Sequence, residues 1–264
     1  SSHGMDGLPT SQFSSFLSFS HNSLWRSAGI SHPGRVRTLN EDAILLQAEL
    51  GVWAVADGMG GHEAGDEASS ILMERLQDLS PKSRWSDRVE HVENCILEAH
   101  REIQRYALRM GEDRIIGSTV VAVVLAEHYG ACLWVGDSRC YHASTKDLQL
   151  VSRDHSYVNA LIDAKRMSAN QAEQHPKRHV LTKAVGVTSP LLLSIELFPI
   201  QPADRIVLCS DGFYRDTALH QVIDELKQMQ PELFIDDICA EHLKGRVSDN
   251  FSLIVIERKE RISQ

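Results

Sequence analysis

Three apolar runs in this chain stop at an aspartate: "VWAVADG" at Asp57, "CLWVGDS" at Asp137 and "IVLCSDG" at Asp211. A fourth run, "FSLIVI", is preceded by Asp249. Runs without polar alternation read as strands buried on both faces. Buried strands converge in a sheet, so these ends predict a cluster of carboxylates at one edge of the fold. One such aspartate is an ordinary turn residue or helix cap. Four together constrain the whole molecule, because packed carboxylates repel and must take up protons or share cations. An oxygen-only set, without cysteine or histidine in the pattern, suits Mg²⁺ or Mn²⁺ rather than Zn²⁺.

The first of these ends continues as "DGMGGHEAG", with Gly58, Gly60, Gly61 and Gly65 within eight residues. Gly58 has no Cβ to hold its backbone away from an ion at Asp57, and Gly60 with Gly61 permits a sharp turn before a helix. The remaining pattern is mixed. Strand character is expected at 24–30, 43–48, 51–56, in "STVVAVVLAE" and "ACLWVGD" on either side of an "HYG" hairpin turn, and at 191–198, 204–210 and 251–257. Three- and four-residue periodicity predicts helices at about 63–79, 87–110, 218–229 and 231–244, with short amphipathic pieces at 157–164 and 168–174. Strands and helices come in blocks, which favours α+β with antiparallel sheets over a doubly wound fold.

The 264 residues are enough for one large domain or two small ones, and no Pro/Gly-rich linker divides them. The net charge of −9, without a basic stretch, argues against a nucleic-acid surface. No apolar run reaches the ~18 residues of a membrane span. Five scattered cysteines without a C-x-x-C pair read as buried free thiols in a reducing cytoplasm. "SSHGM" reads as an expression-tag remnant and the following segment, lacking a basic region, as an extension rather than a signal peptide. The expected division is therefore an extension at 1–23, one domain at 24–258 with a polar flap at about 144–190, and a tail at 259–264.

These residues carry a resemblance. "RTLNED" (37–42), "ADGMGGHEAG" (56–65), "GST" (117–119), "VGDSR" (135–139), "RDHS" (153–156), "HPKRHVLTKAVG" (175–186), "SDG" (210–212) and "DN" (249–250) follow one another over nearly the whole domain. In this order and combination they resemble the metal-dependent Ser/Thr protein phosphatases of type 2C, the PPM family, in its bacterial form. The resemblance implies a four-layer α-β-β-α sandwich, with two central antiparallel sheets flanked by helices. It implies that Asp57 bridges two Mn²⁺ or Mg²⁺ ions, with Asp211 and Asp249 on the first and the Gly58 carbonyl and Glu41 on the second. Asp137, with Asp211, matches a third-metal site of many members. Members often carry an aspartate four residues after the Asp of "SDG"; here that position is Arg215, with Asp216 one further on.

Two ions acidify a bridging water and neutralise phosphoryl charge during in-line attack. By resemblance Asp42 orients that water or takes its proton, Arg37 grips the phosphate, and His62 protonates the leaving alkoxide. "GST" reads as strand-start packing, and "HPKRH" as a basic flap segment that meets phosphopeptide acids or is only solvated. The implied protein is a cytoplasmic, monomeric phosphatase of phosphoproteins that opposes a eukaryotic-type Ser/Thr kinase, with a link to type VI secretion in some proteobacteria. The alternatives are a phosphoprotein-binding pseudophosphatase, disfavoured because Asp57, Asp211 and Asp249 are all present, and a two-metal phosphohydrolase of a small molecule.

Overall fold

The computed structural model describes residues 2–4, 16–34, 39–61, 64–80, 84–111, 113–215, 217, 219–244 and 250–260. In chain order its strands are β1 (Ser2–Gly4), β2 (Phe16–His21), β3 (Trp25–His32), β4 (Asp42–Gln47), β5 (Val52–Met59), β6 (Gly117–Ser118), β7 (Val120–Leu125), β8 (Tyr129–Val135), β9 (Arg139–Ala143), β10 (Leu148–Leu150), β11 (Ser194–Pro199), β12 (Arg205–Cys209) and β13 (Phe251–Arg258). The helices are α1 (Ala64–Gln77), α2 (Trp85–Met110), α3 (Tyr157–Asp163), α4 (Ala169–Glu173), α5 (Asp211–Tyr214), α6 (Leu219–Gln228) and α7 (Pro231–Lys244). One sheet has the order β1-β2-β3-β13-β12-β9-β10 and the other β11-β8-β7-β5-β4, with β6 on β5; every pairing is antiparallel.

The apolar runs explain the layering. β7 and β12 are buried at every position, as strands covered on both faces must be. Their side chains feed three apolar clusters. Trp25, Trp53, Val121, Val123, Ile206, Leu208 and Ile254 fill the space between the sheets. On the outer face of the second sheet, Ala54, Val120, Ala122 and Val124 pack against Leu72 and Leu76 of α1 and Ile96 and Ile103 of α2. Without those two helices the outward half of β7 would lie in water. Phe213, Leu226, Phe234, Ile235 and Val255 form the third cluster, under α6 and α7 on the first sheet. The result is the α-β-β-α sandwich that the resemblance implies.

Several elements differ in extent from the expected ones. β5 does not stop at Asp57 but runs on to Met59, because Gly58 and Met59 pair with Ser118 and Gly117 of β6. The hairpin turn falls at 126–128 rather than on "HYG", and Tyr129 and Gly130 open β8. Residues 16–21, within the expected extension, pair with β3 from Phe16↔Ser31 to His21↔Arg26. In that strand Ser18 and Ser20 are buried, while Leu17 and Phe19 pack against the cluster under α7. Leu148–Leu150, within the expected flap, pairs with β9 at the edge of the first sheet. All five cysteines are free, and four of them are buried. Among the described residues no helix is long and apolar enough to cross a membrane.

Candidate metal centre

Strand register creates the centre. In the β4–β5 ladder Asp42 lies directly opposite Asp57, which places two carboxyl groups on one face of the sheet. Like charges in such a pair are destabilising. Burial aggravates this by removing water. Asp42 is pushed up to about 7 from an ordinary 3.8, first by lost hydration and also by Asp211. Asp57 keeps some solvent-accessible surface but is enclosed by protein, and it is raised well above the ordinary carboxylate range by burial, then by Asp42 and Asp211.

The other sheet supplies the remaining acids. Asp211 opens α5 just beyond the end of β12. Asp137 sits where the chain leaves β8 of one sheet for β9 of the other, a crossing that uses Gly136 at φ +109. It is buried, and its carboxyl is raised to about 8 by lost hydration and by Asp211, against a lowering by Arg215. Arg215 Nη1 lies 2.8 Å from Asp211 Oδ2, and its Nη2 lies 3.3 Å from Asp137 Oδ2.

Residues to which the sequence assigns no role hold these acids in place. Ser252 of β13 donates to Asp42 Oδ2 at 2.8 Å. Thr119, expected only to pack, accepts from the Asp57 amide at 3.0 Å through Oγ1 and donates its own amide to the Asp57 carbonyl at 2.9 Å. Asn250 accepts from the Glu41 amide at 2.9 Å and donates to the carbonyls of Pro33 and Leu39. His155 accepts from the Gly136 amide at 2.9 Å, shares a hydrogen bond with Ser194, and stacks on Trp134. Burial holds that imidazole down at about 4, so it is neutral and free to accept. The quoted "DN", "RDHS" and "GST" segments contain three of these positions; the periodicity of the chain contains no sign of them.

Gly58 has a tighter reason than the approach of an ion. Its amide donates to the Glu41 carbonyl at 2.9 Å, and a Cβ there would overlap the Gly65 carbonyl. Glu41 in turn lays its carboxylate over Gly65 at the start of α1. Arg114 donates to the carbonyls of Gly60 and Gly61, where Gly61 turns the chain at φ +64.

Asp42, Asp57, Asp137 and Asp211 are thus brought together, with Glu41 beside them. His62, Arg37, Asp249 and Asp216 lie outside the described residues. Among the described residues no three acids, histidines or cysteines are spaced to hold an ion by themselves. The donor chemistry nonetheless fits a hard divalent cation. The set is all oxygen, Arg215 relieves only Asp137 and Asp211 within it, and Asp42 Oδ1 and Asp211 Oδ1 are buried with no hydrogen-bond partner.

A family model described as Protein phosphatase 2C matches residues 29–244. The chain belongs to the protein phosphatase 2C family. Among its relatives, a Listeria monocytogenes protein named serine/threonine phosphatase stp is 29% identical over 235 residues, covering 85% of this chain and 92% of that one. A solved structure described as PppA, a key regulatory component of T6SS in Pseudomonas aeruginosa, superposes with a TM-score of 0.81 at 34% identity, over 89% of this chain and 98% of that one. The catalytic domain of the phosphatase PstP, described in complex with 2 manganese ions, superposes at 0.74 and 24% identity over 89% and 99%, a likeness of fold. This family member is a metal-dependent protein serine/threonine phosphatase.

Proposed function

We propose that Asp57, the Gly58 carbonyl, Glu41, Asp211 and Asp249 hold two Mn²⁺ or Mg²⁺ ions, and that this centre hydrolyses phosphoserine and phosphothreonine. The observation that carries the reading is the buried Asp42–Asp57 register pair with Asp211 beside it and two carboxyl oxygens lacking donors. Ions held there would supply an acidified water as nucleophile and would neutralise charge on the phosphoryl oxygens.

The chain's own groups do the rest. Asp42, anchored through Oδ2 by Ser252, leaves Oδ1 to take the proton of the attacking water. Arg37 donates paired hydrogen bonds to the phosphate. His62 gives a proton to the serine or threonine oxygen as its bond to phosphorus breaks. Arg215 engages both Asp137 and Asp211, and Asp211 keeps a free Oδ1 for the ligand set, from which Asp137 stands apart.

The flap bounds a cleft of about 540 Å³ whose wall includes Arg178, His179, Tyr214 and Arg215. Arg178 in that wall, with Arg215 engaged by Asp137 and Asp211, would favour an acidic residue flanking the phosphate. The substrates would be phosphoproteins made by an opposing Ser/Thr kinase in the cytoplasm, with the protein acting as a monomer. Likeness to PppA supports a place in the control of type VI secretion. The test is phosphate release from a phosphothreonine peptide by chelator-stripped protein, with and without Mn²⁺, beside Asp211→Asn. Turnover that requires Mn²⁺ and is lost in the variant is expected; turnover unaffected by either would overturn the reading.

A further inference from the structure

Asp137 just before β9 and Asp211 just after β12 lie beyond the paired ends of two neighbouring strands, Cys209↔Arg139, and Asp211 raises the cost of ionising Asp137. A corner of this kind calls for a cation. Arg215 already provides one. Its guanidinium reaches Asp211 through Nη1 at 2.8 Å and Asp137 through Nη2 at 3.3 Å, so a single fork spans both carboxylates. The guanidinium is less strongly hydrated than an ammonium, which suits it to a bridge partly withdrawn from solvent.

The residue before the arginine is also held in place. Tyr214 donates from Oη to the Asp137 carbonyl at 2.9 Å, and the Arg139 guanidinium lies 3.7 Å above the Tyr214 ring. Arg139 is fixed in its turn by a forked pair with Asp154 at 2.7 and 3.0 Å. An ion entering between Asp137 and Asp211 would have to break both bridges and then sit against a like charge. Asp211 meanwhile engages the bridge through Oδ2 alone and leaves Oδ1 without a partner.

We infer that Arg215 is a built-in cation of this centre: its guanidinium takes the place between Asp137 and Asp211 that an ion would otherwise hold, and restricts the chain to the ions on the Asp57 side. Arg215 is a positioning residue, acting through the two carboxylates, and its role rests on the metal-centre reading above.

The test counts bound ions, independently of turnover. Mn²⁺ is titrated into chelator-stripped protein, and free Mn²⁺ is read by electron paramagnetic resonance. The native chain should saturate at two ions, Arg215→Lys should also take two, and Arg215→Asp and Arg215→Ala should each take one more. The alanine variant serves if the aspartate variant does not fold. A third ion in the native chain, or no additional ion in the folded variants, would overturn the inference while leaving the two-ion centre standing. No uptake by any of these proteins would overturn the metal-centre reading and this inference with it.

Discussion

At the residue scale, the carboxyl groups of the centre store an imbalance that pH should expose. A carboxyl raised in the folded state keeps its proton after the unfolded chain has lost it. Stability from such a group is full below the ordinary carboxylate range and is lost as pH rises through the folded value. For Asp42 at about 7 and Asp137 at about 8, the decline runs from about pH 4 to about pH 8. Histidines lowered by burial, such as His155 and His32, act in the opposite sense, but only below their unfolded value of 6.5. Between pH 6.5 and 8 the carboxylates therefore set the slope. Thermal melts of chelator-stripped protein should show Tm falling over that window, and Asp42→Asn should flatten the fall. Mn²⁺ should raise Tm more at the alkaline end, because ion binding requires the ionised acids. A Tm that rises with pH without metal would contradict the assignment.

At the scale of elements, the end of β5 and the start of α1 touch backbone to backbone at Gly58 and Gly65. Replacing Gly58 by alanine would favour an extended strand by roughly 0.5–1 kcal/mol through lower chain entropy. The added Cβ, however, overlaps the Gly65 carbonyl and meets the Glu41 carbonyl at 2.9 Å. Overpacking of this kind costs about 1–3 kcal/mol, so the net effect should be destabilising. Denaturant melts should show the loss, and Mn²⁺ uptake should weaken because Glu41 and Asp57 flank the displaced backbone. Unchanged stability in Gly58→Ala would mean that the two elements do not meet this closely. Elements also differ in how plainly the sequence marks them. α7 runs from Pro231 to Lys244 as its pattern predicts, with proline at the first helical position, where its missing N–H costs nothing. β9, "RCYHA", has no apolar run to mark it and owes its place to pairing with β12.

At the scale of the molecule, the two sheets share one core, and Trp53 joins them. It is fully buried, donates to Ser27 Oγ of the opposite sheet at 2.9 Å, and meets the edge of Trp25 at 5.8 Å. Trp53→Ala should cost about 3–5 kcal/mol, a large share of the roughly 5–15 kcal/mol typical of a folded domain. Far-UV circular dichroism and tryptophan fluorescence should still report one coincident transition at lower denaturant. Separate transitions would show that the sheets unfold independently. The sequence by itself determined the antiparallel α+β layering and the carboxylate edge, because burial on both faces leaves its mark as unbroken apolar runs whose ends are visible as aspartates. The order of its motifs added the four-layer sandwich. Only the tertiary structure decided that Asp42 opposes Asp57, that Thr119, Asn250 and Ser252 hold the acidic segments, and that Arg215 spans Asp137 and Asp211. Apart from the i,i+4 contact of Arg215 with Asp211, those relations join residues far apart in the chain and depend on strand register or on the packing of one segment against another, which no local pattern of residues encodes.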